Sequence, residues 1–230
     1  MVEEGYHSTI KEEAPNVWSF GIEPKFGIGQ RSWVLQSGKG AVMWDCVPLL
    51  DEKAVQKIRE LGGLQAITAS HPHFFSAMVD WAELFDTKIF LPETARPWAD
   101  QCRNDARITF WPGNKHELAD RVTILRLGGH FRSSSVLHWD NPDLGGALFT
   151  GDTVFATPDP RWVSWMYSFP ELLPLPAREV ARIRDALKPW KFQRLYAAFT
   201  SIEQDADEVV QRSAGRYIAH VSGTAGIEYT

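Results

Sequence analysis

The sequence predicts an α/β fold in which two β-sheets pack face to face and helices cover their outer faces. Three observations support this prediction. Strand-like segments predominate, helical patterns lie between them, and each half of the chain has a strand group followed by strand and helix units. The 230 residues are 44% hydrophobic, which is ample for a large core. Because no linker or low-complexity segment divides them, we expect a single domain over residues 1–230.

The first half of the chain begins with a β-meander. Glycine-containing breaks separate its three predicted strands, over residues 17–20, 32–35 and 41–44. Asp51 is a candidate N-cap for a helix over residues 52–61, and Gly62 follows the end of that helix. The pattern then predicts a buried strand over 66–69, a helix over 76–85 and a strand over 88–91.

The second half follows a similar plan. Strands are predicted over residues 122–127, 134–139, 147–150 and 192–199, with helices over 178–187 and 203–220. His138 is expected to be a structural strand residue, whereas His116 is expected in a surface loop. The proline-rich, aromatic segment 154–176 predicts an irregular loop that is a candidate lid.

The segment Ser70-His71-Pro72-His73 ends the predicted central strand. On extended backbone, residues i and i+2 point to the same side, so both imidazoles can converge on one point beyond the strand. Ligand sites of α/β sheets commonly lie at that end of the strands. We therefore predict a metal ion between His71 and His73.

Two further strand ends supply candidate ligands. His130 follows Gly128-Gly129, and Asp152 follows Thr150-Gly151 after a buried strand. Three histidines plus water form a known catalytic zinc site, and two histidines plus a carboxylate form the facial triad of non-haem iron. The residues alone leave both metals open.

Composition excludes several other classes of function. The formal net charge is -5 without a basic cluster, which argues against a nucleic-acid partner. No apolar run is long enough to cross a membrane, and the first residues lack the pattern of a signal peptide. Two cysteines, Cys46 and Cys102, suit a reducing compartment. We expect a cytoplasmic protein that acts on a small-molecule substrate. The protein can form a homo-oligomer.

These motifs resemble those of the metallo-β-lactamase fold superfamily, which includes glyoxalase II-like hydrolases, lactonases and persulfide dioxygenases. The resemblance covers most of the chain and implies a four-layer αββα sandwich. It matches His71, His73 and His130 to the histidines of the family's first metal site. It matches Asp152 to the carboxylate that bridges two metals in the dinuclear members.

The sequence departs from the family pattern at the second metal site. The family motif His-x-His-x-Asp-His would place an aspartate and a histidine where this chain has Phe75 and Ser76, and the late histidine would fall near Phe199. A phenylalanine has no lone pair for a cation, and a serine hydroxyl is a poor zinc ligand. We therefore expect one divalent metal, with zinc preferred and iron as the alternative.

The resemblance and its departures together predict a mononuclear metal-dependent hydrolase acting on a small ester, lactone or thioester through metal-bound hydroxide. Phe74, Phe75 and Phe199 would make the vacated half of the site apolar. Asp152 and Arg132 are the candidate catalytic residues, Arg132 as a group that orients the substrate. The alternatives are a catalytically inactive binding module and an iron-dependent sulfur dioxygenase. Asp45, at the end of the third strand, either supports a metal-binding histidine or makes a turn.

Overall fold

Two β-sheets dominate the computed structural model of the protein, which describes residues 1–75, 77–99 and 105–225. The first sheet contains β1 (His7–Ala14), β2 (Val17–Glu23), β3 (Ser32–Ser37), β4 (Gly40–Trp44), β5 (Leu64–Thr68), β6 (Ile89–Pro92) and β7 (Ile108–Trp111), in that order. Strands β1 to β4 are antiparallel, and β4 to β7 are parallel. The residues that follow β4 and β5 therefore leave the sheet at the same edge.

The remaining strands form a second sheet and two small ribbons. They are β8 (Lys115–Ala119), β9 (Val122–Arg126), β10 (Ser135–Trp139), β11 (Ala147–Gly151), β12 (Phe155–Ala156), β13 (Val163–Ser164), β14 (Met166–Ser168), β15 (Leu173–Pro174), β16 (Arg194–Ala197) and β17 (Ser201–Ile202). The second sheet has the order β17-β16-β11-β10-β9-β8, while β12 pairs with β13 and β14 with β15. Strands β11 and β16 are parallel, so their ends also meet at one edge.

Helices cover both outer faces, which gives four layers in the order αββα. The α-helices are α1 (Glu52–Glu60), α2 (Met78–Leu84), α3 (Arg96–Ala99), α4 (Ala177–Leu187) and α5 (Ala206–Val221). Ile58 of α1 and Trp81 of α2 lie in the core against the first sheet. Ile183 of α4 and Val210 of α5 lie in the core against the second. The predicted layer order is confirmed.

Aromatic side chains fill the space between the sheets. Trp33 and Trp44 of the first sheet lie in one apolar cluster with Phe149 and Tyr196 of the second. The ring centroids of Trp33 and Tyr196 are 4.7 Å apart, and Trp33 Nε1 donates a hydrogen bond of 3.2 Å to the Ala197 carbonyl. These contacts hold the two sheets in a fixed relation, which aligns the strand ends that carry the candidate site.

The interior elements match the sequence predictions more closely than the edges do. Asp51 caps α1 by accepting a hydrogen bond from the Ala54 amide, and Gly62 has the positive φ of 90° expected just beyond the helix. The strands absent from the prediction include β1, β7, β8 and β17, which are the edges of the two sheets. An edge strand pairs on one side and keeps exposed polar residues, so its hydrophobic alternation is weak.

Several expectations need correction or fall outside the described residues. His116 lies in strand β8, not in a loop, and its ring stacks on Phe90 and Trp111 at centroid distances of 5.4 and 5.6 Å. The segment 154–176 contains the two ribbons and is not wholly irregular. Ser76 and Cys102 lie outside the described residues.

None of the helices in the described part of the chain combines the length and apolar character needed to span a membrane.

Candidate metal centre

Three histidines and one aspartate converge at the edge where the two sheets meet. One nitrogen or oxygen atom from each of His71, His73, His130 and Asp152 lies within 4.8 Å of the others. The Oδ2 atom of Asp152 is 3.6 Å from His71 Nε2 and 4.0 Å from His130 Nε2. Within residues 1–75, 77–99 and 105–225 these are the residues grouped closely enough to hold a metal ion. The predicted convergence therefore occurs, although one element positions its histidine differently.

The two histidines of the first motif have different backbone conformations. His71 is extended, with φ of -167° and ψ of 171°, and follows the end of β5. Pro72–Phe74 is a short 3-10 helix, so the expectation that His73 lies on extended backbone is wrong. Proline at the first position of this turn favours its helical φ. The turn brings the His73 ring back beside His71, with the ring centroids 5.0 Å apart.

A tight glycine turn carries His130 to the site. Gly128 and Gly129 have φ values of 65° and 95°, which favour glycine. A Cβ atom on Gly129 would lie 3.0 Å from Ile183 of α4 and 3.2 Å from Leu175. Glycine thus lets the chain turn under α4, and this turn places His130 opposite His71.

Hydrogen bonds to the Nδ1 atoms orient two of the rings. His130 Nδ1 donates to the Tyr167 carbonyl at 3.0 Å, because a carbonyl oxygen can only accept. His71 Nδ1 lies 2.8 Å from Ser70 Oγ. In both residues Nε2 is buried and has no hydrogen-bond partner, and Asp152 Oδ1 is in the same state. Buried polar atoms without partners are rare in folded proteins. The two unpartnered Nε2 atoms lie 3.6 and 4.0 Å from Asp152 Oδ2, an arrangement that fits a bound metal ion.

Asp45 supports His71 through Ser70. The Asp45 side chain follows β4 and accepts hydrogen bonds from the Ser70 amide at 2.7 Å and from Ser70 Oγ at 3.2 Å. The Ser70 hydroxyl donates its hydrogen bond to the Asp45 carboxyl group, and its oxygen can accept a hydrogen bond from His71 Nδ1. His71 Nε2 then remains as the free ligand atom. Of the two roles considered for Asp45, the structure supports the first, in which Asp45 supports a histidine that is a candidate metal ligand.

Glycine at position 151 lets the second sheet approach this hydrogen-bond chain. Gly151 has φ of 52°, and a Cβ atom there would overlap the Ser70 hydroxyl and lie 2.5 Å from Ser70 Cβ. Strand β11 therefore ends directly against the Ser70 side chain. This contact places Asp152, the next residue, beside the histidines.

Burial controls the charge of the four side chains. It lowers the pKa of His71 well below its usual value, with a further contribution from His130 and His73. It also lowers the pKa values of His73 and His130. Burial raises the pKa of Asp152 to about 6. At neutral pH the site thus offers neutral imidazoles and a carboxylate, which is a suitable donor set for a divalent metal.

An apolar cavity of about 680 Å³ opens onto these residues. Its floor includes His73, His130 and Asp152. Its walls are formed largely by the hydrophobic side chains Phe26, Ile28, Phe74, Phe155, Phe169 and Phe199. Phe74 and Phe199 occupy the positions expected from the sequence, but Phe75 is only 3% exposed and packs in the core of the first sheet. The expectation that Phe75 lines the site is wrong, because the 3-10 turn directs it inward.

A second cleft of about 430 Å³ shares His73 and His130 with this cavity. Arg132 lines it, together with Trp98, Tyr167 and Glu171 among others. Arg132 is exposed and is not one of the four grouped residues, so its catalytic role stays a prediction.

Sequence reasoning missed several residues of the site. Ser70 has a detectable signal, since it directly precedes the first histidine and follows a buried strand. Phe131 contacts all three histidine rings at centroid distances of 4.9 to 5.6 Å. Its position after His130 is the only local signal for this contact. Phe26 and Ile28 lie more than a hundred residues before His130, and nothing in the local sequence indicates that they line the same cavity.

Comparison with known proteins agrees with the fold. Residues 27–198 match the model of the metallo-beta-lactamase superfamily. The uncharacterized protein YmaE of Bacillus subtilis (strain 168) is 44% identical over 211 residues, which cover 91% of this chain and 76% of YmaE.

Solved structures show the same architecture. The DIM-1 metallo-beta-lactamase has a TM-score of 0.69 at 17% identity, covering 94% of this chain and 98% of its own. FIM-1 from Pseudomonas aeruginosa, in its mono-zinc form, has a TM-score of 0.65 at 13% identity, covering 92% and 96%. At these identities the likeness concerns the fold, while the family match covers most of the sequence. The chain belongs to the metallo-beta-lactamase superfamily.

Proposed function

We propose that the protein is a mononuclear metal-dependent hydrolase that acts on a small ester, lactone or thioester. The observation that carries this proposal is the close grouping of buried candidate ligand atoms. The unpartnered His71 Nε2 and His130 Nε2 lie 3.6 and 4.0 Å from Asp152 Oδ2. His130 and Asp152 also line the apolar cavity. A donor set of this kind without a metal would leave several polar groups desolvated and unpaired, which is costly.

His71, His73 and His130 would hold the ion together with Asp152, and we expect zinc. A bound divalent ion of this type would lower the pKa of a water ligand from its high value in bulk water to roughly 7 and would polarise a carbonyl group. The apolar walls exclude bulk water from the region beside the ligands. Asp152 would orient the attacking water and hold its proton through the carboxylate oxygen that does not bind the ion.

The proposal of a single ion rests on the residues that replace the second set of ligands. Phe75 packs in the core and Phe199 presents a hydrocarbon ring to the cavity, so neither can bind a cation through a lone pair. FIM-1, described in a mono-zinc form, shares this fold. A single ion cannot bind both the attacking and the leaving oxygen of a phosphodiester, as a pair of metal ions does. We therefore expect a carbonyl substrate.

Arg132 is proposed to orient the polar end of the substrate. It lines the cleft that shares His73 and His130 with the apolar cavity. A guanidinium there can donate two parallel hydrogen bonds to a carbonyl or carboxylate group.

Metal analysis of protein purified without a chelating tag tests the proposal. We expect about one zinc per chain, hydrolysis of simple esters or thioesters, and loss of both in His130→Ala. The matched control is His7→Ala, since His7 is exposed and is not one of the four grouped residues. Two ions per chain would contradict the mononuclear site. Iron with oxygen consumption on a persulfide would favour the dioxygenase, and a protein that neither binds nor is stabilised by zinc, cobalt or iron would favour the binding module.

A further inference from the structure

A continuous row of aromatic rings leads away from the candidate metal centre. The His130 ring contacts Phe169 at a centroid distance of 5.6 Å, Phe169 contacts Phe155 at 5.0 Å, and Phe155 lies 6.4 Å from Phe199. These rings come from the β12 and β14–β15 region and from the loop after β16. They form one wall of the 680 Å³ cavity, with a candidate metal ligand at one end and the half-exposed Phe199 at the other.

The facing wall comes from the loop between β2 and β3. Phe26 and Ile28 are 38% and 59% exposed, although both line the cavity. Arg31, at the base of the loop, ties this wall to the other: its amide donates to the Ala198 carbonyl at 3.0 Å, and its guanidinium donates to Ser201 Oγ at 3.3 Å. The two walls are thus joined next to Phe199, and the cavity between them is a preformed slot.

Charge is confined to the floor of this slot. Among residues 1–75, 77–99 and 105–225, the ionisable residues that line the slot are His73, His130 and Asp152, without a lysine or arginine. A charged group in the slot would lose hydration without gaining a partner. A hydrocarbon group would instead cover the exposed rings, and a cavity of this volume lies within the range that holds small-molecule ligands.

Resting on the proposed function, we propose that the substrate carries an uncharged, extended hydrocarbon acyl group that lies along the aromatic row, and that Phe199 determines its length. The reacting carbonyl lies at the candidate metal ligands, and the acyl chain extends past Phe169 and Phe155 to the mouth. Phe199 is the last ring of the row, three ring contacts from His130, so a longer chain makes more contact with it.

Hydrolysis of p-nitrophenyl esters from acetyl to octanoyl by the zinc-loaded protein tests this assignment. Each methylene buried in the slot is expected to raise kcat/KM about fourfold until the slot is filled. Phe199→Ala should lower the ratio of kcat/KM for the octanoyl ester to that for the acetyl ester about tenfold. Leu84→Ala is the matched control, because Leu84 is 45% exposed and lies on α2 outside the cavity. A flat dependence on chain length, or a preference for the charged succinyl ester, would overturn the proposal.

Binding of methyl ketones, measured by calorimetry, gives a readout that does not need turnover. Affinity should rise from 2-butanone to 2-nonanone in the wild-type protein and rise less steeply in Phe199→Ala, with the zinc content unchanged. If no ester is hydrolysed while the ketones show this trend, the hydrolase proposal fails and the acyl slot stands. If esters are hydrolysed but the ketone affinities are independent of length, the slot fails and the hydrolase stands.

Discussion

At the scale of single residues, the candidate centre depends on hydrogen bonds behind the ligands as much as on the ligands themselves. Ser70 connects the Asp45 carboxyl group to His71 Nδ1, and the Tyr167 carbonyl accepts from His130 Nδ1. The Tyr167 carbonyl fixes the proton of His130 on Nδ1, and the Ser70 hydroxyl orients the His71 ring by its contact with Nδ1. Partners of this kind commonly change metal affinity when they are removed.

Replacing Ser70 by alanine should weaken zinc binding about 10- to 100-fold, because the His71 ring loses its orienting partner. A competition titration with a chromophoric chelator measures this change. The control is Ser19→Ala, which removes another buried serine that donates to a carboxylate, Glu13, away from the site. Equal zinc affinity in the two variants would show that Ser70 does not position His71.

Zinc affinity should fall as the pH drops through about 6. Burial raises the pKa of Asp152 to about 6, so below that pH a proton occupies the carboxylate that the ion needs, and above it there is no such competition. The histidine pKa values are lowered by burial, so the imidazoles compete for protons only at lower pH.

Calorimetric titrations between pH 5 and 8 check this expectation. Asp152→Asn should bind zinc more weakly at neutral pH and lose the dependence near pH 6, since an amide does not titrate there. If Asp152→Asn keeps the pH dependence of zinc affinity seen in the wild-type protein, a group other than Asp152 takes up the competing proton.

At the scale of elements, the site forms where strand ends from different sheets touch. The end of β11 lies against Ser70, which follows β5, and Gly151 makes this contact possible. A side chain at position 151 would have to displace Ser70, and with it the orientation of His71. The packing of the two sheets and the orientation of His71 therefore both depend on glycine at position 151.

Gly151→Ala is expected to destabilise the protein by about 3 kcal/mol, combining the cost of positive φ with overpacking against Ser70. Gly38→Ala should cost only about 1 kcal/mol. Gly38 also has a positive φ, of 72°, but a Cβ atom there meets nothing within 4 Å. Urea denaturation of both variants measures the difference. If both variants lose the same free energy of unfolding, the Ser70 side chain moves away from the added Cβ atom at little cost.

At the scale of the whole molecule, the two halves of the chain share one core. Trp33 and Trp44 of the first sheet pack against Phe149 and Tyr196 of the second, and the candidate ligands come from both halves. Neither sheet can bury this face alone. This arrangement supports the expectation of one domain over residues 1–230.

Thermal unfolding should accordingly be a single cooperative transition, and zinc should raise its midpoint. At a free zinc concentration of 100 times Kd, binding contributes about 2.7 kcal/mol, or roughly 5–10 °C for a chain of this size. His71→Ala should remove most of the shift while leaving a cooperative transition. Two separate transitions in calorimetry would contradict the single domain.

The candidate site could be predicted from the sequence to the extent that its ligands lie at strand ends. His71, His130 and Asp152 each follow a buried strand within a few residues, and the spacing of His71 and His73 already suggests a shared ligand. The edge strands could not be predicted, because β1 and β8 have one pairing partner and too few buried residues to produce an alternating pattern.

The sequence by itself predicted two sheets packed face to face with helices outside and the residue types of the donor set, because hydrophobic periodicity and ligand type are local properties of the chain. The tertiary structure alone decided that Ser70 links Asp45 to His71, that Phe75 turns into the core, and that Phe26 faces Phe199 across a slot. The physical reason is that these contacts depend on which strands pair and how closely the sheets pack. Residues far apart in sequence meet only after that packing is complete.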